Sequence, residues 1–184
     1  TLLISPAAGE SPYYDQLLER AAERGISIER AGAGRAWGTA SGMRVEILGP
    51  PQLIEGTGSD LNNNSLVLKL GYGAISFLFC GDIENEGTRE LLKQKSKLGA
   101  EVLLIPHHGV FMELLPELLR AVKPQYAVIS VGPNTFGHPH PDTLTVLEEA
   151  GVKILRTDLH GSIIFRTDGS RLRVETMLEP VSAR

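Results

Sequence analysis

Only one cysteine, Cys80, occurs among the 184 residues. An intramolecular disulfide is therefore excluded, and so is a zinc site built from several thiolates. Cys80 sits inside the apolar run "ISFLFC" and reads as a small buried hydrophobe. No apolar run approaches the roughly 20 residues that a membrane helix needs, and no signal-peptide pattern opens the chain. The piece is thus expected to be soluble. A basic field is lacking too: the formal charge is −4, so nothing global advertises nucleic acid, although a local basic patch stays compatible with that balance. Repeats, low-complexity tracts and linkers are absent. What remains is ordinary globular material, 42% hydrophobic and 22% charged, enough for one domain with a real core.

The elements follow from local pattern. "TLLIS" reads as a strand from its first residue, as if cut from something longer. "SPYYDQLLERAAERG" has a serine cap, an early proline, a closing glycine, and Tyr14, Leu17, Leu18 and Ala21 on one helical face. "ISIER" is a strand, "AGAGRAWGTASG" a loop or loose hairpin around Trp37, and "MRVEILGP" a strand ended by prolines. "PPQLIEGTGSDLNNN" has no period and reads as a long loop, of the kind that often carries function. "SLVLKLGYGAISFLFC" is a hairpin about "GYG". Helices are expected in "ENEGTRELLKQK", in "MELLPELLRAVK" with Pro116 splitting it or marking a late start, and in "PDTLTVLEEAG". "AEVLLI" and "QYAVISVG" are buried strands, and "VKILRT", "SIIFRT" and "LRVETM" are three more. Hairpins first, then strands alternating with helices, make this a single α/β domain over 1–184.

Polar residues with chemistry follow the apolar strands. Asp82 follows "ISFLFCG", His107 and His108 follow "EVLLIP", and Asn134 and His138 follow "YAVISVG". In layered α/β folds, groups at the carboxyl ends of neighbouring strands converge on one rim. Asn62, Asn63 and Asn64 precede "SLVLKL" and reach that rim only if their strand runs antiparallel to the others. Each has a plain reading as well. Asp82 could cap the following helix, His140 belongs to a proline-punctuated turn before a helix, and His160 and Asp158 read as turn residues. Carboxylate and neutral imidazole are ligands that zinc, manganese and iron prefer. A catalytic transition-metal site wants about three protein ligands, and Asp82 with one or two histidines supplies two or three. In an extended segment, neighbouring side chains point apart, so at most one histidine of "PHHG" aims straight at a given point.

The order "NNNSLVLKLGYGAISFLFCGD", "AEVLLIPHHG", "AVISVGPNTFGHPHPDTLTVLEEAG", "ILRTDLHGSI" resembles the second half of the metallo-β-lactamase-like domain of the ComEC family, the channel proteins that bring DNA into naturally competent bacteria. The resemblance covers nearly the whole chain, and the combination of spaced motifs is specific where no single motif is. It implies an α/β fold of the αββα sandwich type, here without its first strands. It also implies that Asp82 matches the metal-bridging aspartate and that His107 or His108 is a ligand. Asn64 and Ser65 are implied as substrate contacts, and Asn134 and His138 as phosphate contacts. The implied cofactor is a divalent metal, zinc or manganese, in the intact domain. The implied partners are DNA and a membrane-embedded channel domain of the same chain, with this domain soluble and outside the cell membrane.

One departure matters. The H-x-H-x-D-H-type signature of the superfamily is absent, so the chain reads as the portion starting after it, with weak metal binding or none and no useful catalysis alone. An unfinished sheet could also dimerise through its exposed edge. The resemblance implies a nuclease acting on the non-transported strand. Rival expectations are another phosphodiesterase of this fold, such as a phosphorylcholine esterase, and a metal-free DNA-binding or interaction module.

Overall fold

The computed structural model describes residues 1–7, 9 and 11–179. Strand β1 (Leu2–Ile4) leads through helix α1 (Pro12–Glu23) to β2 (Ile28–Arg30), which lies parallel to β1 in a two-stranded sheet. The cap expected at Ser11 forms: its side chain accepts from the Tyr13 N–H. β3 (Ala36–Gly38) turns back on β4 (Met43–Gly49), so the Trp37 segment is a hairpin.

The loop expected after β4 contains one helical turn, α2 (Asp60–Asn63). β5 (Val67–Tyr72) and β6 (Ile75–Phe79) form the hairpin about Gly73. Then come α3 (Asn85–Leu92), β7 (Val102–Leu104), α4 (Leu115–Val122), β8 (Tyr126–Ile129), α5 (Pro141–Glu149) and β9 (Lys153–Arg156). Pro116 marks a late start of α4 rather than a split, since a proline in the first turn removes only an N–H with no partner inside the helix. A helical turn, α6 (Thr157–His160), precedes the hairpin β10 (Ile163–Thr167) and β11 (Leu172–Thr176).

The main sheet has seven strands in the order β3-β4-β5-β6-β7-β8-β9. Its first four strands pair antiparallel, and β6 to β9 are parallel. The switch at β6 puts the carboxyl ends of β6, β7 and β8 and the start of β5 on one rim.

Two faces are covered differently. On one, Leu78, Leu103, Ala127 and Ile129 of the sheet meet Leu91 of α3, Leu115, Leu118 and Leu119 of α4, and Leu147 of α5 in a single buried core. The spacing Leu115, Leu118, Leu119, Val122 gives α4 one apolar stripe, all of it buried. Each such leucine contributes about 1.5–3 kcal/mol through burial.

On the other face the β10–β11 hairpin sets Phe165 edge-on against Phe77 and Tyr126, at 5.8 and 5.5 Å. Here a cavity of about 400 Å³ lies against Phe79, Leu104, Val128 and Ile163. Helices on one face of a mixed sheet and further strands on the other are the arrangement of an αββα sandwich.

Candidate functional site

β6 ends at Phe79 and the chain turns sharply at Gly81, whose φ is +59°. A side chain there would meet the Ser65 Cβ at 2.7 Å, so glycine permits the close approach of this turn to the start of β5. The Asp82 N–H then donates to Ser65 Oγ at 3.1 Å. Ser65 therefore props the turn that presents Asp82.

After β7, Pro106–Gly109 form a tight turn in which His107 (φ 46°, ψ 49°) and His108 (φ 55°, ψ 21°) are both left-handed. Two consecutive non-glycine residues in that region are unusual, and such strain persists only where surroundings over-determine it. Here the His107 N–H donates to the Gly81 carbonyl at 3.0 Å, and the Val110 N–H to the His107 carbonyl at 3.0 Å. The turn is thereby tied to the Asp82 turn.

The extended geometry expected of "PHHG" is replaced by this coil, and the two imidazoles go to different carboxylates. His108 Nε2 lies 3.9 Å from Asp82 Oδ1. His107 Nδ1 lies 3.3 Å from Glu84 Oε1 but is out of hydrogen-bond alignment, and has no other partner among the described residues. His108 Nδ1 sits 2.6 Å from the Ser130 carbonyl. A carbonyl can only accept, so this nitrogen carries the proton and Nε2 of the neutral ring is an acceptor facing Asp82. Two acceptors face one another there, a polarity that calls for a proton or a cation.

The loop after β8 is built on Asn134. Its Nδ2 donates to the carbonyls of Gly132 and His138 at 2.9 and 2.8 Å, and its Oδ1 accepts from the N–H groups of Phe136 and His138 at 3.1 Å each. With all four bonds spent on the loop, Asn134 shapes the loop and sets the backbone of His138. The His138 ring lies 5.7 Å from that of His107 and stacks on Phe136 at 6.0 Å. Burial, then repulsion from His107, His108 and His140, push the His138 pKa below 6.5. Thr157 accepts from the Val131 N–H at 2.7 Å and donates to the Val131 carbonyl at 2.6 Å, closing the base of this loop. Between the loop and His108 lies a cleft of about 350 Å³.

The rim thus brings together Asp82, His107, His108, Ser65 and His138, and adds Glu84 and Phe136. Asn64 is turned away. It is fully buried, its Oδ1 accepts from the Ile54 N–H, and its Nδ2 donates to the carbonyls of Ile54 and Asp60. Those bonds clamp the loop before α2 and leave the amide no free face for a substrate. Nor does Asp82 supply the side-chain cap of α3. That acceptor is buried Asn63, whose Oδ1 takes the N–H groups of Glu84 and Gly87.

His140 caps α5 by accepting from the Asp142 N–H, as a turn residue before a helix should. His160 is buried in α6 and bonded to the backbone of Arg156, a structural place beyond a simple turn. Glu84 escapes a sequence reading because acidic residues are ordinary at a helix start. The signal for it was its place two residues after Asp82 in "GDIENEG".

These donors can be tested against a divalent metal. Asp82 and His108 have the right chemistry, with the second ring nitrogen of His108 held by a carbonyl as metal-binding histidines commonly are. A third ligand does not converge, because His107 is drawn to Glu84. Among the described residues no three His, Cys, Asp or Glu side chains are placed to hold a metal ion. The described residues therefore do not fit a self-sufficient metal centre.

No family model matches the chain. Three curated proteins do. The chain is 31% identical over 166 residues to ComE operon protein 3 of Bacillus subtilis (strain 168), which spans 90% of this chain and 21% of that protein. It is 35% identical over 126 residues to Competence protein ComA of Neisseria gonorrhoeae, 67% of this chain and 18% of that protein. To Recombination protein 2 of Haemophilus influenzae it is 29% identical over 156 residues, 83% of this chain and 19% of that protein. A mixed-sheet α/β domain with acid–imidazole pairs on the rim of its parallel strands is the class that fold and site define. Within that class, the chain belongs to the ComEC family of competence proteins. It spans about a fifth of the length of the curated relatives it matches. Among the described residues, no helix is long and apolar enough to cross a membrane.

Proposed function

We propose that this domain serves DNA internalisation during natural competence by hydrolysing phosphodiester bonds of the strand that is not transported. The observation that carries the reading is the pairing of two imidazoles with two carboxylates on one rim, His108 with Asp82 and His107 with Glu84, beside the His138 cleft. Hydrolysis of a phosphodiester needs a water held and deprotonated on one side of phosphorus and a proton delivered to the leaving oxygen on the other. Acid–imidazole pairs are suited to both tasks. In this reading the Ser130 carbonyl, by holding Nδ1–H, orients His108 Nε2 as the acceptor for one proton of the attacking water. The Asp82 carboxylate accepts the water's other hydrogen bond, and His138 donates to a non-bridging phosphate oxygen. Asn134 acts by positioning His138.

A divalent metal, zinc or manganese, would be held here by Asp82 and His108 only together with further donors from outside the described residues, and would supply Lewis-acid activation of the water. We infer, too, that in the intact protein the domain stands beside a membrane-embedded channel domain of the same polypeptide and has DNA as its partner, a reading supported by its likeness to competence proteins about five times its length.

The test is made in competent cells of the source organism. Uniformly labelled duplex DNA is supplied to cells whose gene carries Asp82→Ala or His108→Ala, and acid-soluble label in the medium is measured. At least a tenfold loss of released label, with surface-bound DNA unchanged, is expected. Release at the normal rate in both variants would sink the hydrolytic reading.

A further inference from the structure

We propose that Phe136 is a stacking platform for one base of a single-stranded nucleic acid whose phosphate lies toward His138 and His108. The proposal rests on the DNA reading above and specifies which form of DNA this rim takes.

Phe136 is 81% exposed. A lone exposed apolar residue is ordinary on a protein surface, so exposure alone says little. Phe136 differs in how it is held. Its N–H is bound by Asn134 Oδ1, and the same amide grips the loop at Gly132 and at both backbone groups of His138. The ring is therefore presented on a loop whose shape is fixed by four hydrogen bonds. One side of it leans on His138, ring centroids 6.0 Å apart and planes only 18° from parallel, which leaves the opposite π-face to solvent. A pre-set aromatic face loses little conformational entropy on binding.

The cleft that Phe136 borders is about 350 Å³ and also contains His108, Ser130, Asn134, His138 and Thr157. That volume is at the small end of the range for ligand clefts, roughly 300–1,000 Å³, and suits a single nucleotide unit. Its lining joins one aromatic ring to the imidazoles of His138 and His108, as a nucleotide joins a flat base to a phosphate. Among the described residues no lysine or arginine lines it. Affinity must then come from stacking and neutral hydrogen bonds more than from the counterion release that dominates duplex binding. A duplex keeps both faces of its bases covered by neighbours, so it offers Phe136 nothing without first unstacking. The surface selects for a free strand.

The experiment is fluorescence anisotropy with the purified chain and three labelled probes: a thymidine 12-mer, the same 12-mer with abasic residues, and a blunt duplex. Wild type is expected to bind the thymidine strand about tenfold more tightly than the other two probes. Phe136→Ala should lose about tenfold on the thymidine strand, a change within the range of removing one base–aromatic stack, and change nothing on the abasic strand. Phe136→Trp should restore or exceed wild-type binding. The ring is exposed, so both variants should fold, and circular dichroism verifies it.

Equal affinity of wild type and Phe136→Ala for the thymidine strand overturns the proposal. So does equal binding of abasic and normal strands, which would point to a protein-docking or backbone-only role, and so does no binding of the thymidine strand by wild type. The two readings separate cleanly. Loss of label release in Asp82→Ala cells with stacking unaffected by Phe136→Ala leaves hydrolysis standing and removes the platform. Phe136-dependent strand binding with normal label release does the reverse.

Discussion

Asp82 Oδ1 and His108 Nε2 face each other at 3.9 Å from two different strand ends, while the other nitrogen of His108 is committed to the Ser130 carbonyl. The pair is pre-set as two acceptors, and both side chains are about half exposed. Such a pair is a good beginning for a cation site and an incomplete one.

Calorimetric titration of zinc and of manganese into the chain should therefore show no tight site, because about three protein ligands are needed and two are present. Asp82→Ala and His108→Ala should leave those heats unchanged. A tight site lost in Asp82→Ala would show that His107 swings away from Glu84 to complete the set.

The left-handed pair His107–His108 makes a second prediction. At an ordinary position, glycine is less stable than alanine by roughly 0.5–1 kcal/mol, since it has more freedom to lose. At φ 46° and 55° the order should reverse, because alanine carries a Cβ penalty of about 1–2 kcal/mol there. His107→Gly and His108→Gly should each be more stable to urea than the matching alanine variant by about 1 kcal/mol. The usual order would mean that the turn relaxes when the imidazole is removed.

What was legible in advance depended on the period of the chain. Strand ends are marked by where apolar runs stop, so the convergence of Asp82, His107, His108 and His138 on one rim could be read before any coordinates. The destination of individual side chains within turns could not. Asn62, Asn63 and Asn64 are identical and consecutive, yet each residue of a helical turn advances by about 100°, and the three amides part company. Asn62 donates to Glu84, Asn63 caps α3, and Asn64 turns back on Ile54. Glu84 and Phe136 are inconspicuous in the sequence for a related reason. An acid at a helix start and an aromatic in a proline-rich loop are unremarkable until the fold shows what they face.

Asp168, in the turn between β10 and β11, tests the electrostatics away from the rim. Its Oδ1 accepts from the N–H groups of Arg171 and Ser170 and from the Ser170 hydroxyl, at 2.8–2.9 Å. These bonds favour the charged form and bring its pKa down from 3.8 to about 2. The folded value lies below the unfolded one, so the stabilisation is complete above 3.8 and is lost as pH falls toward 2. Carbon-13 titration should place the midpoint near 2, and in Asp168→Asn the decline of stability between pH 4 and pH 2 should be shallower. A midpoint at the ordinary 3.8 would mean that the turn opens in solution.

Asn63 is the residue on which the rim most depends without touching it. It is 1% exposed, and its Oδ1 accepts from the backbone of Glu84 at 3.0 Å and of Gly87 at 2.8 Å. Its Nδ2 donates to Thr57 Oγ1 and to Glu86 at 3.2 Å each. The first turn of α3 has no side-chain cap of its own, so these N–H groups are satisfied from a different element. Asn63→Ala would strand the buried Gly87 donor and the part-buried Glu84 donor at about 1–3 kcal/mol each, and urea unfolding should show a loss of about 2–4 kcal/mol in total. Asn63→Asp keeps the acceptor but sets a buried carboxylate against Glu86, so it should recover only part of that stability. Because Glu84 is both the capped residue and the neighbour of His107, Asn63→Ala should also shift the His107 ring resonances, whereas a core truncation such as Leu118→Ala should lower stability by a similar about 2–5 kcal/mol and leave them in place. If the two variants perturb His107 alike, Asn63 is only a stability residue and the rim does not lean on α3.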